Sequence, residues 1–154
     1  MADTELLDRA YAAVMHRIVD AREAPHYTDL ARQLDVEPAS ARDLVHELVD
    51  ITPGWVHPGT DLLASFPPFN LQPTQYRVTI GAETGWYAQC GFEALAIRWL
   101  VPGRTVRIEA PCLCCGDPVV VTTTDDDLDS VDPIEAVGYT SAEVGGEAST
   151  RPFR

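Results

Sequence analysis

The chain has no lysine, and its basic residues are 11 arginines set against 24 acidic residues. The formal net charge at neutral pH is −13. A surface this acidic repels phosphate backbones and the headgroups of anionic lipids, so the composition disfavours nucleic-acid and membrane-surface partners. A strongly acidic surface also keeps many proteins soluble, and it therefore indicates no particular function by itself.

The sequence also lacks a long hydrophobic run. No stretch approaches the roughly 20 apolar residues that a transmembrane helix requires. The first twenty residues mix charged and apolar side chains, unlike the basic-then-apolar order of a signal peptide. We therefore expect a cytoplasmic protein whose thiols stay reduced.

Cysteine is absent from most of the chain, and all four thiols lie between residues 90 and 115. Cys90 stands alone in Gln-Cys-Gly-Phe-Glu, whereas Cys112, Cys114 and Cys115 form the triplet Cys-Leu-Cys-Cys. In a reducing compartment such a cluster indicates soft-metal binding or thiol catalysis more than cross-linking. No glycine-rich phosphate loop accompanies it.

The spacing of apolar residues predicts an α+β fold. In the N-terminal part, recurrence every three or four residues predicts three helices, and the many prolines after them predict a hairpin or wing and then a connector. The pattern resembles a winged helix-turn-helix. The predicted ranges are 4–20, 27–35 and 39–49 for the helices, 53–73 for the proline-rich stretch and 1–69 for the whole unit.

The third of these helices would be the one to enter a DNA groove. Its acidic residues outnumber its arginine, the set being Glu37, Asp43, Glu47, Asp50 and Arg42. This charge favours a packing role for the unit over DNA recognition. A metal-responsive, DNA-associated regulator is the weakest of the functional alternatives.

The N-terminal unit is expected to pack on a small mixed or antiparallel sheet subdomain with one or two helices, residues 70–140, which carries every cysteine. An acidic tail over 141–154, expected to be flexible, follows it. The predicted elements of the subdomain are strands over 75–80, 86–88, 105–110, 118–124 and 134–139 and a helix over 90–100. Cys90 then lies at a strand-to-helix junction, and the triplet lies in the turn between two strands.

Cys90 and Glu93 are the candidate catalytic residues. A helix N-terminus favours an anion and is expected to lower the thiol pKa. Glu93 lies three residues later on the same helical face. The pair offers a nucleophile for a soft electrophile together with a group that carries a proton. The alternative is a buried cysteine that acts as a small apolar side chain.

The triplet Cys112, Cys114 and Cys115 is the candidate metal site. Cys-x-x-Cys-Gly resembles one knuckle of a zinc ribbon, but the chain has no second knuckle, so a closed four-thiolate site would need Cys90 as its fourth ligand. Three thiolates also suit Cu(I) and Hg(II). The predicted cofactor is thus a soft metal ion, Cu(I), Hg(II) or Zn(II). Alternatively, one or two of the triplet cysteines are simply buried in the turn.

The order of these motifs resembles the alkylmercury lyase family. The resemblance rests on Phe-Pro-Pro-Phe-Asn-Leu-Gln-Pro-Thr from Phe66, Trp-Tyr-Ala-Gln-Cys up to Cys90, and Ala-Pro-Cys-Leu-Cys-Cys-Gly-Asp-Pro around Cys112. It implies cleavage of carbon–mercury bonds by a cysteine and an acid three residues after it, which are Cys90 and Glu93 here. It also implies a structural role for Cys112 and an organometallic small molecule as partner.

The sequence departs from that family pattern at two points. Glu93 stands where the family has aspartate, and no cysteine follows Cys115 to match a second catalytic cysteine. We therefore expect a divergent relative that binds a soft metal through the cluster of Cys90, Cys112, Cys114 and Cys115. The alternative is an active lyase in which Cys90 is the nucleophile, Glu93 is the general acid and a triplet cysteine is the second ligand.

Overall fold

The computed structural model describes residues 3–139, and the predicted tail over 141–154 lies outside them. In the described part the chain forms four α-helices, one 3-10 helix and eight strands, which confirms the predicted α+β class. The chain divides into two compact units between Pro67 and Pro68. None of the described helices is long and apolar enough to cross a bilayer.

The first unit consists of three helices followed by a short hairpin. Its elements are α1 (Thr4–Ala21), α2 (Tyr27–Leu34), α3 (Pro38–Ile51), β1 (Trp55–Val56) and β2 (Leu63–Phe66). The apolar stripe of each helix supplies a core whose fully buried members include Ala10, Val14, Leu30, Ala41 and Phe66. The Phe66 ring contacts that of Tyr11 with a centroid distance of 5.4 Å.

Local chemistry explains where these helices begin and end. Asp3 accepts a hydrogen bond from the Glu5 backbone N–H at the start of α1, and the His26 Nδ1 accepts from the Thr28 backbone N–H at the start of α2. Each of these caps satisfies one of the N–H groups that a helix start leaves without a partner. The first two helices end where Arg22 and Asp35 adopt left-handed backbone angles.

The second unit is an antiparallel sheet with one short helical segment. Its strands are β3 (Phe69–Asn70), β4 (Arg77–Ile80), β5 (Glu83–Ala88), β6 (Thr105–Pro111), β7 (Pro118–Thr124) and β8 (Asp127–Asp132). They lie in the order β3-β5-β4-β6-β7-β8. Since β5 and β6 both pair antiparallel with β4, they run in the same direction on either side of it.

Two sequence expectations for this unit were wrong. The acidic stretch after residue 125, for which no strand was predicted before residue 134, contains strand β8, because these residues pair antiparallel with β7. Residues 134–139 do not form the expected strand. The helix predicted over 90–100 is α4 (Gly91–Ala96) followed by a tighter 3-10 segment, Ile97–Leu100.

Candidate functional site

Cys90 begins helix α4 and serves as its cap. The residue is extended, with φ −147° and ψ 174°, and its Sγ accepts a hydrogen bond from the backbone N–H of Glu93 at 3.4 Å. Its carbonyl accepts from the backbone N–H of Ala94 at 2.9 Å. A thiol therefore occupies the position where serine or aspartate usually stands, and this fixes the direction of the sulfur.

The carboxyl group of Glu93 lies against the same thiol. It forms a side-chain hydrogen bond with Cys90, and its Oε2 is buried with no hydrogen-bond partner among residues 3–139. Burial raises the pKa of this carboxyl above its ordinary value, although the contacts with Cys90 oppose the shift. Glu93 thus holds a proton more readily than an exposed glutamate does.

The pKa of Cys90 is also raised, contrary to the expectation from its place at a helix start. Burial is the largest cause, and it outweighs the backbone N–H of Glu93, which acts in the opposite direction. The Glu93 carboxylate adds to the rise because a neighbouring negative charge disfavours a thiolate. The Cys90 thiol and the Glu93 carboxyl are hydrogen-bonded to each other, and each holds a proton more readily than an exposed group of its kind does.

The cysteine triplet occupies the turn between β6 and β7. The turn is closed by two backbone hydrogen bonds, from the Cys112 N–H to the Asp117 carbonyl at 2.7 Å and from the Gly116 N–H to the Cys112 carbonyl at 2.9 Å. Gly116 has φ +81°, which side-chain-bearing residues rarely adopt. The alternative that one or two triplet cysteines are simply buried in the turn does not apply to Cys114 and Cys115, since both are exposed.

Within this turn, Cys112 and Cys115 are hydrogen-bonded to each other, and the pKa of Cys112 is lowered. The backbone N–H groups of Cys115 and then Cys114 are the largest causes, because both donate to its sulfur. Cys115 also donates from Sγ to the Oδ2 of Asp117 at 3.3 Å. The backbone N–H of Asp117 lowers the pKa of Cys115, but the Asp117 carboxylate and Cys112 together outweigh it, so the pKa of Cys115 is raised.

The two groups of thiols lie at the same end of the sheet. One row across β5, β4 and β6 consists of Tyr87, Arg77 and Glu109. Cys90 lies three residues after this row on the β5 side, and Cys112 lies three residues after it on the β6 side. With strands about 4.8 Å apart, the two backbones are separated by roughly 10 Å. Within residues 3–139, no three histidine, cysteine, aspartate or glutamate side chains are arranged to hold a metal ion.

The structure thus brings Cys90 to Glu93 and Cys112 to Cys115, and it does not bring the four predicted ligands into one group. The predicted four-thiolate set stays a prediction that would require the β6–β7 turn to move toward Cys90. Ligands of one ion would need sulfur separations of about 3.5 to 4 Å.

Two neighbours of these thiols were not predicted from sequence. Asp117 completes the hydrogen bonds of the turn, and its place directly after Cys-Cys-Gly was the available signal. Gly138 lies beside the Phe92 ring, since a Cβ at this glycine would lie 3.1 Å from the Phe92 Cζ. The chain after β8 therefore passes the residue two positions beyond Cys90, a contact that no local pattern indicates.

A thiol that caps a helix and is hydrogen-bonded to a partly buried carboxyl group forms a site suited to soft electrophiles. The family model described as alkylmercury lyase matches residues 69–152 of this sequence. The chain therefore belongs to the alkylmercury lyase family, and the resemblance seen in its motifs is confirmed.

Curated relatives agree with this assignment, and a solved structure shares the fold. The alkylmercury lyases of Bacillus cereus and Clostridium butyricum are each 36% identical over 67 residues, 44% of this chain and 30% of theirs. The crystal structure of the mercury-bound form of MerB2 matches with a TM-score of 0.70 at 19% identity, over 86% of this chain and 62% of that one. The matched region thus spans less than a third of the curated relatives' length.

Proposed function

We propose that this chain cleaves the carbon–mercury bond of organomercurials by protonolysis, with Cys90 as the mercury-binding nucleophile and Glu93 as the proton donor. The observation that carries this proposal is the double contact between the two residues, through the Glu93 backbone N–H and through its carboxyl group. Membership of the alkylmercury lyase family supports the substrate class.

The first step is ligand exchange at mercury. The Cys90 sulfur attacks an organomercurial R–Hg–X, the Hg–S bond forms, and X⁻ departs. The thiol proton passes to the Glu93 carboxylate with which it is already hydrogen-bonded. The raised pKa of Cys90 does not prevent attack, because the proton leaves as the sulfur binds a soft cation.

The second step breaks the carbon–mercury bond. Protonated Glu93 gives its proton to the carbon, so a C–H bond forms and the hydrocarbon R–H leaves. The raised pKa of Glu93 suits this role, since its proton is retained until the carbon accepts it. Mercury stays Hg(II) throughout, and no electrons are exchanged with another reagent.

The Glu93 carboxylate can occupy the position at mercury that the carbon vacates. Mercury would then be held by Cys90 and Glu93, which satisfies a two-coordinate soft ion without a second cysteine beside Cys90. The family pattern implies a second cysteine at this stage, and no cysteine follows Cys115 in this sequence. In this proposal mercury is the substrate and product of the site and not a resident cofactor.

Release of benzene from phenylmercury, measured in the headspace by gas chromatography, tests the proposal. We expect benzene from the wild-type chain and none above background from the Cys90→Ser variant. Glu109→Gln is the matched control for carboxylate removal, because Glu109 pairs with Arg107 in the same sheet. Thiol titration without any benzene from the wild-type chain would overturn the lyase and leave a mercury binder.

A further inference from the structure

The Cys112 sulfur in the β6–β7 turn has a different environment from that of Cys90. Its backbone closes the turn, because the Cys112 N–H donates to the Asp117 carbonyl at 2.7 Å and the Cys112 carbonyl accepts from the Gly116 N–H at 2.9 Å. The Cys90 sulfur instead caps a helix, where it accepts from the Glu93 backbone N–H. The Cys112 sulfur therefore belongs to a short, closed loop.

Cys115 supplies a second sulfur at the same place. It lies three residues after Cys112 in the same closed turn, it is exposed, and its contact with Asp117 at 3.3 Å holds the side chain in the turn. The closure of the turn by Gly116 and Asp117 keeps both cysteines on one short loop. Two cysteines at Cys-x-x-Cys spacing in one closed turn are arranged as a chelate for a metal ion.

We infer that Cys112 and Cys115 form a second, solvent-facing two-sulfur site that takes a two-coordinate thiophilic cation and accepts the Hg(II) produced at Cys90. Two donors do not complete the four-coordinate shell that Zn(II) adopts in structural sites. They do complete a linear shell, which soft d¹⁰ ions accept. Cys114, although adjacent, is not a member of the pair.

The acceptor role rests on the proposed function, whereas ion binding by the pair does not. In the transfer, Hg(II) held by the Cys90 sulfur and the Glu93 carboxylate exchanges onto the Cys112 thiolate and the Cys115 thiol. The proton of Cys115 goes to Cys90, two Hg–S bonds form, and one Hg–S and one Hg–O bond break. Cys90 is again a thiol beside a carboxylate, ready for the next substrate.

Two properties favour the direction of this exchange. A soft cation prefers two sulfurs to one sulfur and one oxygen, and two sulfurs on one loop act as a chelate with a high effective concentration. The cysteines that begin and end the transfer also lie at the same end of the sheet, on the strands that flank β4. The turn therefore provides a site that lies near Cys90 and binds Hg(II) more strongly than the Cys90 sulfur and the Glu93 carboxylate do.

Binding of inorganic Hg(II) to full-length variants tests the site without any catalytic step. In a Cys90→Ser background, with a monothiol competitor and phosphine reductant, native mass spectrometry counts the bound mercury. We expect one Hg(II) per chain, and the same from the matched control with Cys114→Ser added. Adding Cys112→Ser or Cys115→Ser should weaken apparent affinity by roughly 100-fold, the loss of one arm of a chelate.

The outcomes decide between the assignments. An equal loss of Hg(II) affinity on adding Cys114→Ser and on adding Cys115→Ser would overturn the Cys112–Cys115 pairing. Undiminished Hg(II) binding by every variant would overturn the site. Circular dichroism of each variant confirms that the fold survives, since serine is close to cysteine in size.

The acceptor role is tested separately with one equivalent of phenylmercury and peptide mapping of the mercury by mass spectrometry. We expect mercury on the peptide that contains Cys112 and Cys115 in the wild-type chain, and on Cys90 when both are changed to serine. Mercury that remains on Cys90 in the wild-type chain after benzene release would overturn the transfer alone. Absence of benzene would instead overturn the proposed lyase, and the inorganic Hg(II) result would still stand.

Discussion

The backbone N–H of Glu93 donates to the Cys90 sulfur at 3.4 Å while the carboxyl group of the same glutamate hydrogen-bonds to that sulfur. One residue therefore contacts the thiol both through its main chain and through its side chain. These two contacts are separable, because a substitution at position 93 changes the carboxyl and leaves the backbone donor intact.

Changing Glu93 to Gln should remove the proton donor while keeping the cap of α4. We expect mercury still to bind Cys90, and benzene release from phenylmercury to fall by about 10²-fold to 10⁴-fold, the usual contribution of a general acid. Single-turnover measurements of benzene, with mercury content measured on the same sample, separate the two effects.

Glu93→Asp is the informative companion variant. It keeps a carboxylic acid and shortens the side chain by one methylene, so we expect activity between that of the wild-type chain and that of Glu93→Gln. Equal activity of the aspartate and glutamine variants would show that the carboxyl acts through its position and hydrogen bonds and not through its proton.

Cys90 should matter for the stability of α4 as well as for chemistry. The helix has only six residues, and its start depends on the acceptor at position 90. Serine can replace the thiol as a cap, whereas alanine cannot, so Cys90→Ala should unfold more readily than Cys90→Ser by about 1 kcal/mol. Thermal or urea unfolding measures the difference, and equal stability of the two variants would argue against the cap.

The thiols should differ in their alkylation by iodoacetamide at neutral pH, because only the thiolate reacts. The pKa of Cys112 is lowered by backbone N–H donors, and that of Cys90 is raised chiefly by burial. We expect Cys112 to react first at pH 7 and Cys90 to gain most as the pH rises. Peptide-resolved mass spectrometry over a pH series measures both rates, and faster reaction of Cys90 at pH 7 would contradict the assignment.

The burial of the Glu93 carboxyl makes the stability of the protein depend on pH. Because its folded-state pKa is raised, its contribution is fully present below the ordinary glutamate pKa and is lost as pH rises through the folded value. Glutamine does not ionise, so the melting temperature of Glu93→Gln relative to wild type should increase from pH 4 to pH 8. The Cys90 thiol does not disturb this window, since burial raises its pKa above the ordinary thiol value, which already lies above neutral pH. A melting-temperature difference between Glu93→Gln and wild type that does not change with pH would contradict the burial of the Glu93 carboxyl.

Local patterns in the sequence predicted the elements that local chemistry determines. Helical periodicity and caps gave the three N-terminal helices within a few residues, and Cys90 was correctly expected at a strand-to-helix junction. Strand β8 was missed because its many aspartates are typical of irregular chain, and its pairing with β7 is a tertiary contact. An edge strand can carry such charge because one of its sides faces solvent.

The site was predictable in its residues and less so in its electrostatics. The spacing from Cys90 to Glu93 follows from helix geometry, so their proximity could be expected. The direction in which the Cys90 pKa is shifted could not be predicted, because it depends on how deeply the junction is buried and on the charge beside it. Likewise, the separation of Cys90 from Cys112 by the width of β4 follows from strand order, which the sequence does not state.

The buried hydroxyl of Thr123 offers a test of the sheet that is independent of the thiols. Thr123 is fully buried in β7, and its Oγ1 has no hydrogen-bond partner among the described residues. An unpaired buried hydroxyl costs about 1 to 3 kcal/mol of desolvation, and valine has nearly the same shape and favours strands. We therefore expect Thr123→Val to raise the free energy of unfolding by roughly 1 kcal/mol. Thr122→Val on the opposite face is the control for strand propensity alone, and urea denaturation that gives the two variants equal stability would show that the Thr123 hydroxyl is satisfied in solution.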